Sequence, residues 1–117
     1  MKFTLTGQLP AKKNAWRMGK YGIYQSKQKE IDGFIFQLKV QAREYSSLPL
    51  KGECSLNLSL WQSNRTDLDG QLTTVCDILE NAGIVDNDRL IKHIIAEKVV
   101  DNKNPRIEID IKQLCQE

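Results

Sequence analysis

A chain of 117 residues with 40% hydrophobic and 27% charged side chains holds material for one core and little for a second, so one compact domain over residues 1–117 is expected. No apolar run approaches the roughly 20 residues of a membrane helix, and the opening MKFTLTGQLP lacks the apolar stretch and cleavage site of an export signal, so a cytoplasmic protein away from membranes is expected. The net charge of +2 hides a division: ten Lys/Arg stand against three acids in residues 1–51, and seven against twelve in 52–117.

In chain order, KFTLTG alternates Phe3 and Leu5 with polar residues and reads as a short strand. QLPAKKNAW breaks the alternation and reads as a loop, and WRMGKYGIYQS, with Gly19 and Gly22 near its centre, suggests a small hairpin. From Ser26 to about Tyr45 the apolar residues Ile31, Phe34, Ile35, Leu38, Ala42 and Tyr45 fall three and four apart, which predicts an amphipathic helix lying on a sheet. SSLPLKGE ends it. ECSLNLSLWQ then puts Cys54, Leu56, Leu58 and Leu60 on one face of a half-buried strand. DLDGQLTTVCDILENAG predicts a second helix with Leu68, Leu72, Val75, Leu79 and Ala82 inward and Gly83 as its stop. RLIKHIIAEKVV and RIEIDIKQL read as two closing strands, and the turn DNKNP between them suggests an antiparallel pair. The sum is an α/β (α+β) arrangement: a small mixed sheet of about four strands packed with two main helices.

Three cysteines, Cys54, Cys76 and Cys115, are widely spaced and form no CxxC pair, which suits a reducing compartment. The first 29 residues contain seven basic side chains and no acid. A phosphate backbone attracts such a segment, because each cation displaces condensed counterions; a solubilising face is the plainer alternative. Lys12, Lys13, Arg17 and Lys20 are the leading phosphate contacts, and Trp16 and Tyr21 stand among them as stacking or packing aromatics. His93, the only histidine, falls mid-strand and reads as a packed or edge residue.

The acidic segment TDLDGQLTTVCDILENAGIVDND admits two readings. In one, Thr66 and Asp69 form a capping box, acids in the first turn favour the helix dipole, and Asp86–Asp88 is turn chemistry. In the other, Asp67 and Asp69 at the helix mouth and Asp88 beyond its end share a divalent ion. Three converging carboxylates resist joint ionisation, and a hard cation such as Mg²⁺ relieves the repulsion. That reading requires the chain after Gly83 to fold back along a helix about 22 Å long.

RTDLDGQLTTVCDILENAGIVDNDRLI resembles the core of the RusA family of Holliday junction resolvases. The family pattern runs Asp-x-Asp-Asn, a Lys, a helix ending in Ala-Gly, and an acidic pair. Asp67 and Asp69 match the first acids, DILENAG the helix end, and Asp88 the second acid of the pair; LPAKKNAW resembles the family's N-terminal loop, with Asn14 and Trp16 in matching roles. The resemblance implies a homodimeric endonuclease that uses Mg²⁺, with Mn²⁺ as the alternative, binds four-way or other branched DNA, and places symmetric nicks. It implies Asp67, Asp69 and Asp88 as catalytic metal ligands. Lys12, Lys13, Asn14, Trp16, Arg17, Lys20, Arg65 and Lys98 then contact nucleic acid.

Three positions depart from the pattern: Gly70 replaces the Asn, Asn87 the first acid of the pair, and Thr73 the lysine. A threonine cannot neutralise charge developing on phosphate, and losing one such donor costs on the order of 10²–10³ in rate. Lys98 and Arg65 are the available substitutes. The alternative is a weakly active or silent junction-binding protein on the same scaffold; a small interaction module is a third.

Overall fold

The computed structural model describes residues 1–10, 16–19, 22–25, 27–64 and 67–114, with backbone only for 16–18 and 22–25. The elements are β1 (Lys2–Thr6), β2 (Trp16–Gly19), β3 (Gly22–Gln25), α1 (Gln28–Ala42), β4 (Cys54–Gln62), α2 (Leu68–Asn81), a single 3₁₀ turn at Asp88–Leu90, β5 (Ile91–Val100) and β6 (Arg106–Gln113). β2 and β3 form a separate antiparallel ribbon, the hairpin expected there. The other four strands make one mixed sheet in the order β1-β6-β4-β5. This is the four-stranded α+β arrangement that the alternations predict.

Period-two alternation decides which face of the sheet is covered. Cys54, Leu56, Leu58 and Leu60 of β4 lie beside Ile107, Ile109 and Ile111 of β6, which in turn face Phe3 and Leu5 of β1. All are buried, and Ile31, Phe34 and Leu38 of α1 join Val75, Ile78 and Leu79 of α2 in the same core. Both helices therefore cover one face. The other face carries Thr4, Asn57, Ser59 and Glu108 and is open. Among the described residues no helix is long and apolar enough to cross a membrane.

The closing strands do not pair with each other. β5 runs parallel to β4, and β4 separates it from β6. Alternation explains the exchange: β6 has three isoleucines to bury and takes an inner place, whereas no residue of β5 is fully buried. The connection DNKNP is accordingly a crossing over the end of β4. The Asp101 backbone N–H donates to the Gln62 carbonyl at 2.8 Å, and the Asp101 carboxylate accepts from the Lys103 and Asn104 N–H groups and from the Arg106 guanidinium. β4, α2 and β5 thus form a βαβ unit, the usual solution for parallel neighbours.

In α2 the inward stripe is also rotated from its predicted position. Leu68 and Leu72 are only half-buried, while Gly70, Gln71 and Thr74 are buried with Val75, Ile78 and Leu79. The first turns of α2 face the polar backbone of residues 7–10 rather than the apolar core, which selects an amide and a hydroxyl. The helix begins one residue later than a cap at Thr66 requires: Asp67 is the cap residue, extended, and its side chain makes no capping bond, while Thr66 lies outside the described residues. At the far end Gly83, at φ +78°, supplies the left-handed stop.

The free edge of β1 is closed by side chains. Gln41 accepts from the Thr4 N–H and donates to its carbonyl, Gln37 does the same at Thr6, and Tyr45 does so at Lys2. These residues are four apart, so one face of α1 and its C-terminal turn substitute for a fifth strand.

Candidate active site

α2 follows the carboxyl end of β4 in the chain, and two acids stand at its mouth. The Asp67 carbonyl accepts the first helical bond from the Gln71 N–H at 3.2 Å, and its carboxylate is exposed. Asp69 is exposed one position into the first turn. Thr73 follows one turn later, also exposed, its hydroxyl donating to the Asp69 carbonyl at 3.2 Å. By helical spacing Asp69, Thr73, Cys76 and Glu80 form one stripe on the side of α2 away from the core.

The chain beyond Gly83 does return along α2. Ile84 and Val85 are buried and pinned to Leu50: the Leu50 N–H donates to the Ile84 carbonyl, and the Asp86 N–H donates to the Leu50 carbonyl, each at 2.9 Å. Asn87 caps the 3₁₀ turn by accepting from the Arg89 N–H at 2.9 Å. The Asp88 N–H then donates to Glu80 Oε1 at 3.2 Å. Burial, then the charges of Asp88 and Asp77, push the Cys76 thiol above its ordinary pKa. Asp88 therefore lies beside the Cys76–Glu80 part of the stripe, and Cys76 is seven residues, about 10 Å of helix rise, beyond Asp69. Among the described residues no three His, Cys, Asp or Glu side chains are grouped closely enough to hold an ion. Asp69 and Asp88 share one side of α2, but the three aspartates are not gathered into one cluster.

The donor chemistry nevertheless matches a hydrated hard cation. Mg²⁺ keeps several waters and takes one or two carboxylates, and the acids here are exposed oxygen donors. Burial and the neighbouring carboxylates raise the pKa of Cys76, the soft donor on the same stripe, which disfavours a thiolate-bound ion. Lys98, half-buried, is paired in register with Leu60 on the helix-covered side of β5, near the sheet end from which α2 departs. His93 is an exposed edge-strand residue opposite Ser55. Lys12, Lys13, Asn14, Lys20, Tyr21 and Arg65 lie outside the described residues, as do the side chains of Trp16 and Arg17.

A buried amide network, absent from the sequence-based expectations, ties the root of the basic arm to this helix. Gly7, at φ +119°, turns the chain out of β1 against the Phe34 ring. Gln62 Oε1 accepts from the buried Leu9 N–H at 2.6 Å, and its Nε2 donates to the carbonyls of Gly7, Trp61 and Arg106. Gln71 Nε2 donates to the Leu9 carbonyl at 3.1 Å, and the Thr74 hydroxyl donates to the Pro10 carbonyl at 2.9 Å. The signal was present: Gln62 continues the apolar phase of β4, and Gln71 sits one turn before Val75. A polar residue in an apolar phase marks a buried backbone needing partners.

A family model described as Endodeoxyribonuclease RusA matches residues 2–112. The chain belongs to the RusA family. No curated protein matches it. The RusA match runs from β1 almost to the end of β6, so it takes in the arm, the acidic helix and the returning segment alike. RusA-family proteins are junction-resolving endodeoxyribonucleases, divalent-metal dependent in general. Against the RusA pattern, the lysine position is the exposed Thr73, between Asp69 and the neighbourhood of Asp88.

Proposed function

We propose that this chain is a structure-selective DNA endonuclease that acts as a homodimer on four-way junctions and resolves them by symmetric paired nicks. The observation carrying the proposal is the return of the segment bearing Asp88 along the outward stripe of α2 that begins at Asp69, within a chain matched over residues 2–112. Asp67, Asp69 and Asp88 are the ligands proposed for the ion, Mg²⁺ or Mn²⁺; because no three such side chains are grouped among the described residues, Asp88 would have to close toward Asp69 to complete the set. Such an ion would supply Lewis-acid polarisation of the scissile phosphodiester and a lowered pKa for the attacking water.

The protein's own residues do the remainder. Lys12, Lys13, Asn14, Trp16, Arg17, Lys20 and Arg65 engage the phosphate backbone and exposed bases, and Gln62, Gln71 and Thr74 fix the root of that arm relative to Asp69. Lys98, half-buried near the same end of the sheet, would offset charge on the phosphate that Thr73 cannot. Cutting is slow on this account, because the Thr73 hydroxyl carries no charge and already donates to a backbone carbonyl.

The second reading, a junction binder with little or no catalysis, draws on that same Thr73 bond and on the ungathered aspartates. Junction gel shifts run alongside cleavage with Mg²⁺ separate the two. Cutting that Asp69→Asn abolishes, with the shift retained, supports the nuclease. A shift without cutting supports the binder, and neither activity at low salt overturns both.

A further inference from the structure

The two edges of the sheet are treated oppositely. β1 is closed by Gln37, Gln41 and Tyr45, whereas the ten-residue strand β5 pairs with β4 on one side and, among the described residues, with no strand on the other. Six large hydrophobic residues are exposed in the described chain, and four belong to β5: Ile94 (41%), Ile95 (73%), Val99 (47%) and Val100 (53%). A long apolar edge strand is a template for another strand unless something covers it. β5 contains no proline and pairs with β4 along almost all its length.

We infer that β5 pairs antiparallel with β5 of a second copy of this chain, about a two-fold axis through Ile95. The charge pattern of the strand selects both occupant and register. In a two-fold antiparallel pair, facing residues lie on the same face and at equal distances from the centre. Centring on Ile95 sets it opposite its own copy and places Ile91 opposite Val99 of the partner subunit. It also sets His93 opposite Glu97 of the partner subunit, twice by symmetry. Centring on Ile94 or Ala96 sets Ile95 against His93 or Glu97 instead, and centring on Glu97 brings two carboxylates together. The one like-charged pair, Lys92 with Lys98, falls away from the axis on the other face, where long stems reach water. The axis stands perpendicular to the sheet, so both copies of α2 lie on one face of an eight-stranded sheet.

This inference rests on the homodimer in the proposed function, but its test does not use cleavage. Sedimentation equilibrium on the whole chain gives a dimer, and Ile95→Lys, at a site exposed in the single chain, gives folded monomer by circular dichroism. His93→Glu weakens dimerisation at least tenfold, and adding Glu97→Lys restores it. Ile95→Cys forms a disulfide-linked dimer on mild oxidation far faster than Ile94→Cys. A wild-type monomer, or a dimer indifferent to Ile95→Lys and His93→Glu, overturns the inference. A dimer that responds as described but cuts no junction upholds the interface and removes the nuclease reading alone.

Discussion

Replacing Gln62 with methionine keeps the volume of the side chain and deletes its amide. The buried Leu9 N–H, now 2.6 Å from Gln62 Oε1, loses its acceptor, and the Gly7 and Arg106 carbonyls lose a donor at 3.0 and 3.2 Å. An orphaned buried donor costs about 1–3 kcal/mol, and each carbonyl robbed of one partner costs less because it has a second lone pair. The total is about 2–4 kcal/mol, a large share of the 5–15 kcal/mol typical of a domain. Urea denaturation measures it as a fall in midpoint at unchanged slope. The same variant loosens the root of the basic arm, so junction affinity falls in buffer where the protein is still folded. A loss of stability below about 1 kcal/mol would refute the claim that this amide anchors residues 7–10.

Thr73→Lys places an ammonium between Asp69 and Asp88 on an exposed helical surface; single-turnover junction cleavage rises on the order of 10²-fold, and no gain at equal binding counts against the account of slow catalysis. Asp88→Asn removes a charge that opposes ionisation of Cys76, so alkylation of Cys76 at a fixed, mildly alkaline pH speeds up relative to wild type, and an unchanged rate places Asp88 away from the thiol. The Asn104 and Lys103 backbone N–H groups, then Arg106, hold the Asp101 carboxyl below its ordinary range. Its contribution is therefore complete above the ordinary carboxylate pKa and disappears as pH falls through the lower folded value. Asp101→Asn should flatten the acid limb of a stability–pH curve, and an unaltered limb excludes the effect.

What was legible depended on how local the determining physics is. The alternations in β1, β4 and β6 and the three-and-four spacing in α1 are properties of contiguous residues, and each element appears where its pattern lies. The partner of β5 is not local. Residues 101–105 read as a hairpin turn, yet the choice between β4 and β6 as neighbour depends on which strand has most to bury, a comparison across the whole chain. In α2, Leu68 and Leu72 suggested the inward face, but the backbone of residues 7–10, more than 50 positions away in sequence, claimed Gln71 and Thr74. Asp67 and Asp69 were legible as exposed acids at a helix start. The path of Asp88 along α2 depends on Leu50 holding Ile84 and Val85, which no spacing rule reveals.

Cleavage mapping on a four-way junction labelled in each of its strands bears most directly on the nuclease assignment. With Mg²⁺, nicks are predicted at matching positions in two opposed strands, sealable by ligase, and lost in an Asp69→Asn protein that still binds. Cutting that survives that substitution, or falls on one strand without its counterpart, would contradict it.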